Sequence, residues 1–254
     1  MIAQTGLLTY DPPVENEQVN YDTLLNDVRQ RQQCLDQLIA AWMSEYRQRG
    51  GTIHCGRGCR NCCGLVVNCT VLEAVAIARQ LTPAQRTRLT ACIPKLRACA
   101  EQADSLKEWL SSYRDQAGPC PFLNEDGSCG IYPLRPLSCR AVLATKEPGW
   151  CGTDFSTLTA EDKQAFINSL DRSVVAFPTH YAATPQEIGQ ELEQASLKAL
   201  EVRYGFSLQG NLPWLVWLVL EHRLEELLPT GATSLLQQLG SAGLLNPYLL
   251  LLHE

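Results

Sequence analysis

The stretch HCGRGCRNCCGLVVNC, residues 54–69, holds five cysteines and three glycines and shows neither helical nor strand periodicity. Glycine allows tight backbone turns that bring amide N–H groups close to sulfur. The next four residues, Thr70-Val-Leu-Glu73, have the spacing of a capping box, which is typical of the start of a helix, and Thr82-Pro83-Ala-Gln85 repeats this signal. The sequence therefore predicts an irregular cysteine-bearing loop that leads directly into a helix.

A second irregular region, residues 118–151, carries four more cysteines. Thiolates that lie a few residues apart on flexible loops can converge on one centre, and they prefer zinc or iron–sulfur clusters to hard cations. Clustered thiols in a reducing compartment indicate metal or redox chemistry rather than a disulfide framework. The candidate metal ligands of the two regions are Cys55, Cys59, Cys62, Cys63, Cys120, Cys129, Cys139 and Cys151.

The adjacent pair Cys62-Cys63 limits how these ligands can be shared. Neighbouring side chains point to opposite faces of an extended chain and diverge by about 100° in a helix. One of the pair is therefore expected to serve a first centre, while the other faces a second centre or the core. Eight ligands suit two four-thiolate sites or one cluster with spare cysteines, and the spacing does not choose between these.

The remaining cysteines have a simpler interpretation. Cys34 lies inside a predicted helix, as do Cys92 and Cys99, which are seven residues apart on one face. Free cysteine is commonly a small buried residue, so these three are interpreted as part of the core. Cys69 lies between the first loop and the predicted helix.

Basic and histidine side chains near the cysteines are secondary candidates. A four-thiolate site carries a charge of about −2, which guanidinium groups can offset, although a solvated surface explains any single one equally well. His54 is a possible ligand or donor, whereas His180, His222 and His253 have no interpretable spacing. The basic residues interleaved with the cysteines are Arg57, Arg60, Arg135, Arg140 and Lys146.

The pattern of apolar residues predicts a mainly α fold, a helical bundle-like body with irregular cysteine-rich metal-binding loops and one small β-hairpin. The hairpin is expected between Pro121–Leu123 and Cys129–Tyr132, around the turn Asn124-Glu-Asp-Gly127. The predicted helices cover residues 21–49, 70–81, 82–113 with a bend or an interruption at Pro94, 159–175, 184–205, 213–228, 234–239 and 246–252. Three regions are expected to form one compact unit: residues 1–52 as a helix packed on the core, 53–155 as the metal-binding region and 156–254 as a helical region.

Composition narrows the classes of function. The chain has 254 residues, 45% of them hydrophobic, and a formal net charge of −6, so it can bury a core but has no bulk electrostatic attraction to nucleic acid. Residues 1–18 lack the basic and apolar segments of a signal peptide, and the longest apolar run, Leu215–Leu220, is far shorter than a membrane span. A cytoplasmic protein without a membrane span is expected.

The combination Cys55-x3-Cys59-x2-Cys62-Cys63 and Cys120-Pro-Phe-Leu-x5-Cys129-x-Ile-Tyr-x2-Arg-Pro-x2-Cys139-Arg140 closely resembles the YkgJ-type cysteine-cluster family. That family is described as a zinc- or iron-chelating domain and is often said to contain an iron–sulfur cluster. The resemblance covers residues 55–151 and implies that the seven motif cysteines are ligands. Cys151 matches a further downstream cysteine of the family less tightly, and Cys69 lies outside the motif.

Three functions are compatible with this resemblance. The first is an iron–sulfur protein, most simply with a 4Fe-4S cluster, that transfers electrons, senses redox state or assists assembly of another complex, with a protein or redox partner. The alternative is a structural zinc protein that acts as a partner-binding module. The third is a cluster-dependent methyltransferase-like or oxidoreductase enzyme, because a flagellin lysine methylase shares the cysteine pattern. A radical-SAM barrel is disfavoured, since no strand–helix alternation follows the first three cysteines.

Overall fold

The computed structural model describes residues 21–254, so the features noted in residues 1–18 lie outside the described residues. The described chain is mainly α-helical, as predicted, with short 3₁₀ turns between helices. The α-helices are α1 Tyr21–Gln48, α2 Val71–Ala78, α3 Pro83–Glu101, α4 Leu106–Ser112, α5 Leu137–Ala141, α6 Gly149–Gly152, α7 Ala160–Asn168, α8 Ala183–Tyr204, α9 Leu212–Glu221, α10 Leu224–Leu227 and α11 Ala232–Ser241.

Two of the predicted capping boxes form as the sequence indicates. At the start of α2, the Glu73 amide donates to Thr70 Oγ1 at 3.3 Å, and the Thr70 amide donates to Glu73 Oε2 at 2.9 Å. Thr82 and Gln85 repeat both bonds at the start of α3. Because each box satisfies orphan amides of the first turn, the helices begin within a residue of the predicted positions.

The small sheet lies elsewhere than the predicted hairpin. The hairpin region contains only one isolated bridge, between Leu123 and Cys129. A three-stranded antiparallel sheet of order β1-β2-β3 forms instead from segments far apart in the chain. Such short strands carry too little alternation to be recognised before their partners are known. The strands are β1 Asn68–Thr70, β2 Ser207–Asn211 and β3 Leu250–His253.

Other element boundaries also differ from the prediction. The helix predicted over residues 246–252 is wrong, because this segment enters β3 and pairs with β2. Pro94 lies inside α3 rather than interrupting it, and the break comes after Glu101, where Ser105 caps the next helix. The helix predicted over residues 159–175 ends at Asn168. The proline costs α3 one backbone hydrogen bond without ending it.

The largest core cluster lies between α2, α3, α9 and the sheet. The apolar helix α2 is buried on every side and packs against α9, whose Trp214 and Leu215 belong to the same core cluster. Phe122, in the second cysteine region, is completely buried in the same cluster. The cysteine region is therefore attached to the main core through apolar packing as well as through its backbone. No helix within residues 21–254 combines the length and the apolar composition needed to cross a bilayer.

One buried carboxylate connects the two cysteine regions. Glu73 is 1% exposed, and beyond its capping box its Oε1 accepts a hydrogen bond of 2.7 Å from the Leu137 amide at the start of α5. Burial raises the pKa of Glu73, whereas the bonds from Leu137 and Thr70 act in the opposite direction. Burial also raises the pKa of Glu193, on α8, to about 7, with the charge of Glu73 adding to the effect. Glu73 thus fixes α5, which carries Cys139, against the helix that follows the first loop.

The replacement Glu73→Gln is expected to destabilise the fold by about 1–3 kcal/mol, because an amide NH₂ cannot accept and one buried donor is left unsatisfied. The free energy of unfolding from urea denaturation of the metal-free protein measures the effect. Glu45→Gln is the control, since it removes only an exposed pair with Arg49 and should change stability by no more than about 0.5 kcal/mol. Equal stability of Glu73→Gln and Glu45→Gln would contradict the linking role.

Candidate metal centre

The first loop turns at glycine and then forms a single 3₁₀ turn, Asn61–Gly64, that carries Cys62 and Cys63. Gly58 has φ +83°, a backbone conformation that other residues adopt only at a cost. The Cys59 amide donates to the carbonyl of Gly56 at 3.1 Å, which closes the turn before it. Four cysteines of this loop, Cys55, Cys59, Cys62 and Cys63, are half-buried, whereas Cys69 at its end is buried. The sequence therefore holds the thiols near the surface through local backbone bonds rather than through a helix.

The second loop is tied to the first at two points. The Cys120 amide donates to the carbonyl of Cys63 at 3.0 Å, so these two candidate ligands are joined by backbone. A Cβ on Gly127, at the tip of the second loop, would lie 3.5 Å from the Gly58 carbonyl oxygen. The bridge between Leu123 and Cys129 then returns the chain toward the centre. These contacts bring the second group of cysteines beside the first.

Cys139 lies in α5, whose neighbouring arginine organises the loop around it. Arg140 is 3% exposed, and its guanidinium donates to the Arg135 carbonyl at 2.8 Å and to the Pro133 carbonyl at 2.7 Å. The same guanidinium is ion-paired with Asp36 on α1. Arg140 therefore joins the Arg-Pro segment and α5 to the N-terminal helix, a structural use of a residue that the sequence offered as a charge partner for sulfur.

Residues 143–145, which lie between Cys139 and Cys151, are hydrogen-bonded to the first loop. The Ala144 amide donates to Cys55 Sγ at 3.2 Å, and its carbonyl accepts from the His54 amide at 2.9 Å. His54 thus takes part through its backbone. Amide N–H groups directed at sulfur are typical of metal-bound thiolates, because they reduce the charge on the ligand.

The thiols fall into two sets of four by their electrostatic neighbours. The charges of Cys59 and Cys62 act to raise the pKa of both Cys55 and Cys151, so the first set is Cys55, Cys59, Cys62 and Cys151. The charge of Cys120 acts to raise the pKa of Cys63 and of Cys139, and the charge of Cys129 acts in the same way on Cys139. The second set is Cys63, Cys120, Cys129 and Cys139. Cys62 is also a neighbour of the second set, so the two sets meet at the adjacent pair. Among residues 21–254, no three His, Cys or acidic side chains are already placed to hold a single ion.

The pKa values of the adjacent pair Cys62-Cys63 are shifted in opposite directions. A hydrogen bond from Cys63 lowers the pKa of Cys62 to about 7 against the opposing effect of burial, and the charge of Arg135 contributes further. The same bond raises the pKa of Cys63. Burial raises the pKa of Cys120 to about 12, and the neighbouring thiols add to this. Cys62 is therefore the thiol of this pair that deprotonates first.

Arg135 is the basic residue most involved with the sulfurs. Its charge acts to lower the pKa of four thiols, in each case with a smaller effect than that of burial, which acts in the opposite direction: Cys55, Cys62, Cys129 and Cys139. Its guanidinium lies over the ring of Tyr132 at 4.3 Å, and its Nε is buried without a hydrogen-bond partner. Arg57 and Arg60 are exposed on the first loop. Among the five basic residues singled out from the sequence, Arg135 is therefore the one whose charge acts on thiols of both sets, and it is half-buried.

The other cysteines are placed apart from these sets, with one exception. Cys69 and Cys99 are buried in the main core, and Cys34 is half-buried on α1. Cys92 packs against the same core but is an electrostatic neighbour of Cys120. The interpretation of Cys99 as a core residue is confirmed by its burial.

The family comparison agrees with this geometry. Residues 54–164 match the family model CxxCxxCC, described as "Putative zinc- or iron-chelating domain". The matched model is that of the YkgJ-type cysteine-cluster family. The matched region, residues 54–164, contains all eight candidate ligands, and the description of the model supports metal binding. No curated protein and no solved structure matches the chain.

The chemistry of the donor set suits the metals in the family's description. All eight candidate ligand atoms are sulfur. Zinc and iron–sulfur clusters bind thiolate ligands, whereas hard cations prefer oxygen. The residue that sequence reasoning missed is His180, whose Nε2 lies 3.3 Å from Cys151 Sγ. It lies 29 residues beyond its partner. No local spacing signals such a contact.

In the metal-free protein, Cys62 is expected to be alkylated by iodoacetamide with a half-maximal rate near pH 7, because the thiolate is the nucleophile and forms as pH rises through this value. Cys63→Ala removes the donor, which raises the pKa of Cys62 and slows its alkylation at pH 7 by roughly tenfold or more. Cys63→Ser retains a donor and should preserve most of the rate. Peptide mass spectrometry at timed intervals measures each site, and an unchanged rate in Cys63→Ala would refute the assignment.

Proposed function

We propose that the YkgJ-type domain carries an iron–sulfur cluster, in the simplest case 4Fe-4S, and that the protein uses it to transfer electrons, to sense redox state or to help assemble another complex. The observation that supports this is the collection of eight thiols from separate segments into one connected group, while Cys34, Cys69 and Cys99 lie elsewhere. A packed core alone has no need to gather half-buried thiols in loops.

We propose the eight candidate cysteines as the ligands, divided between the two sets. Each set supplies four sulfurs, which is the usual complement of a 4Fe-4S cluster. A chain that fills only one set would use the other as spare thiols. The division places Cys62 with the first loop and Cys63 with the second, which the diverging directions of adjacent side chains favour.

The surroundings of the thiols favour a redox role. Hydrogen bonds to sulfur, net charge and solvent exposure set the potential of an iron–sulfur cluster. The Ala144 amide supplies such a bond to Cys55, and Arg135 supplies positive charge near both sets. The first loop is exposed at residues 56–58, so a partner protein can approach the centre closely.

A reducing compartment is part of the same proposal. All twelve cysteines are free, and cytosolic conditions keep thiols reduced and able to bind metal. We therefore place the protein in the cytoplasm, with a protein or redox partner as the acceptor of its electrons or its signal.

Protein purified without oxygen is expected to be brown, with broad visible absorbance and with iron and acid-labile sulfide in equal amounts. Elemental analysis and sulfide determination measure both. Reduction by dithionite should give a paramagnetic signal, which separates a redox-active cluster from a purely structural one. Colourless protein with stoichiometric zinc would contradict the iron–sulfur proposal and favour the zinc-binding module.

Cys59→Ser is expected to lose most of its metal and to lower the melting temperature, because a hydroxyl is a poor ligand for soft metals. Cys34→Ser changes the same atom on α1, outside both sets, and should keep the metal content of the unmodified protein. Metal analysis of the two variants, purified side by side without oxygen, makes the comparison. Equal metal content would refute the ligand assignment.

A further inference from the structure

His180 contacts the metal centre from outside the matched domain. The domain ends at residue 164, whereas His180 lies on the segment between α7 and α8. Its Nε2 is 3.3 Å from Cys151 Sγ, and both residues are buried, with exposed fractions of 4% and 8%. The contact therefore joins the region that follows the family domain to one of the proposed ligands.

The ring of His180 is held in a fixed position. Its backbone carbonyl accepts hydrogen bonds from the Thr145 amide at 3.0 Å and from Thr145 Oγ1 at 2.8 Å. The ring packs edge-on against Phe166 and lies 4.3 Å from the ring of Tyr181. A side chain constrained from both its backbone and its ring faces can direct a nitrogen at a chosen atom with little loss of entropy.

Residues 143–145 contact both Cys55 and the segment that carries His180. Residues 143–145 provide the Ala144 amide that donates to Cys55, and they also pair with residues 180–182 through the bridge of Ala144 with Tyr181 and the bond from the Ala182 amide to Leu143. Tyr181, the next residue, acts as a side-chain donor that opposes the effect of burial on the pKa of Cys151. Two consecutive residues thus direct polar groups at one sulfur.

The geometry points to His180 as a positioning residue of the metal centre, which donates its Nε2–H to the thiolate of Cys151 and holds that ligand in place. This rests on the proposed function, because it needs Cys151 to be metal-bound. A metal-bound thiolate can only accept, so the imidazole must be the donor. His180 is given the donor role rather than a ligand role because the first set already supplies four sulfurs and His180 contacts Cys151 among them.

Donation to a ligand sulfur has a measurable consequence. It lowers the charge on the thiolate, which stabilises the reduced cluster and slows loss of metal. The residues after the matched domain then do more than support the loops, since they set the properties of the centre through one imidazole.

The test uses the full chain reconstituted anaerobically with iron and sulfide. His180→Leu keeps the bulk against Phe166 and removes the donor, and iron release to a ferrous chelator is expected to become about 10–100-fold faster, with a more negative reduction potential. His180→Gln restores an N–H near the position of Nε2 and should recover most of both properties. His222→Leu, beside Trp217 at the end of α9, is the matched control and should behave as the unmodified protein.

The outcomes separate the two proposals. If the unmodified chain binds iron and His180→Leu equals it in release rate and potential, the donor role is refuted while the cluster remains. If His180→Gln fails as badly as His180→Leu, or if X-ray absorption at the metal edge shows a nitrogen ligand that His180→Leu removes, the donor role is also refuted. If the chain binds no iron, the cluster is refuted, and zinc release from the same variants decides the role of His180.

Discussion

The carboxylate of Glu73 accepts hydrogen bonds from Thr70, which directly follows the first cysteine region, and from Leu137, which lies in the second. A nearly inaccessible carboxylate is unfavourable unless its oxygens are satisfied, so the position of each donor is tightly restricted. One bond fixes where the first loop ends, and the other fixes where α5 begins. The distance between the two loops is thereby determined inside the core. It in turn sets the relative positions of the thiols that the loops carry near the surface.

This arrangement explains how loops can hold a metal centre without regular secondary structure. Ordering a loop costs conformational entropy, and gathering thiolates adds mutual repulsion. The chain offsets both with backbone bonds between loops, such as that from Cys120 to Cys63, and with the positive charge of Arg135 near the sulfurs. Bound metal would supply the remaining stabilisation, so folding of the loops and metal binding are expected to be coupled.

The sequence was most informative where the controlling interactions are local. Capping boxes at Thr70 and Thr82 predicted two helix starts because both partners lie within four residues. The three strands were missed because their pairing joins segments that are far apart in the sequence, with Asn68 paired to Asn211. The eight candidate ligands were recognisable from spacing and family resemblance, but their division between two sets depends on tertiary approach. His180 was missed because its partner is distant in the chain and a single histidine has no pattern.

The part of the chain beyond residue 164 fixes the position of the end of the first loop through backbone hydrogen bonds. The Leu212 amide donates to the Val67 carbonyl at 2.8 Å, and β2 pairs with β1, which ends at the helix cap formed by Thr70. The close approach of Gly210 to the Leu249 carbonyl, where a Cβ would lie at 2.2 Å, shows how tightly β3 closes this sheet. The same region supplies His180 on the other side of the centre. The matched region, residues 54–164, is therefore held by the C-terminal region at the end of its first loop and at Cys151, its last candidate ligand. A structural change in the C-terminal region can therefore displace the thiols through these contacts.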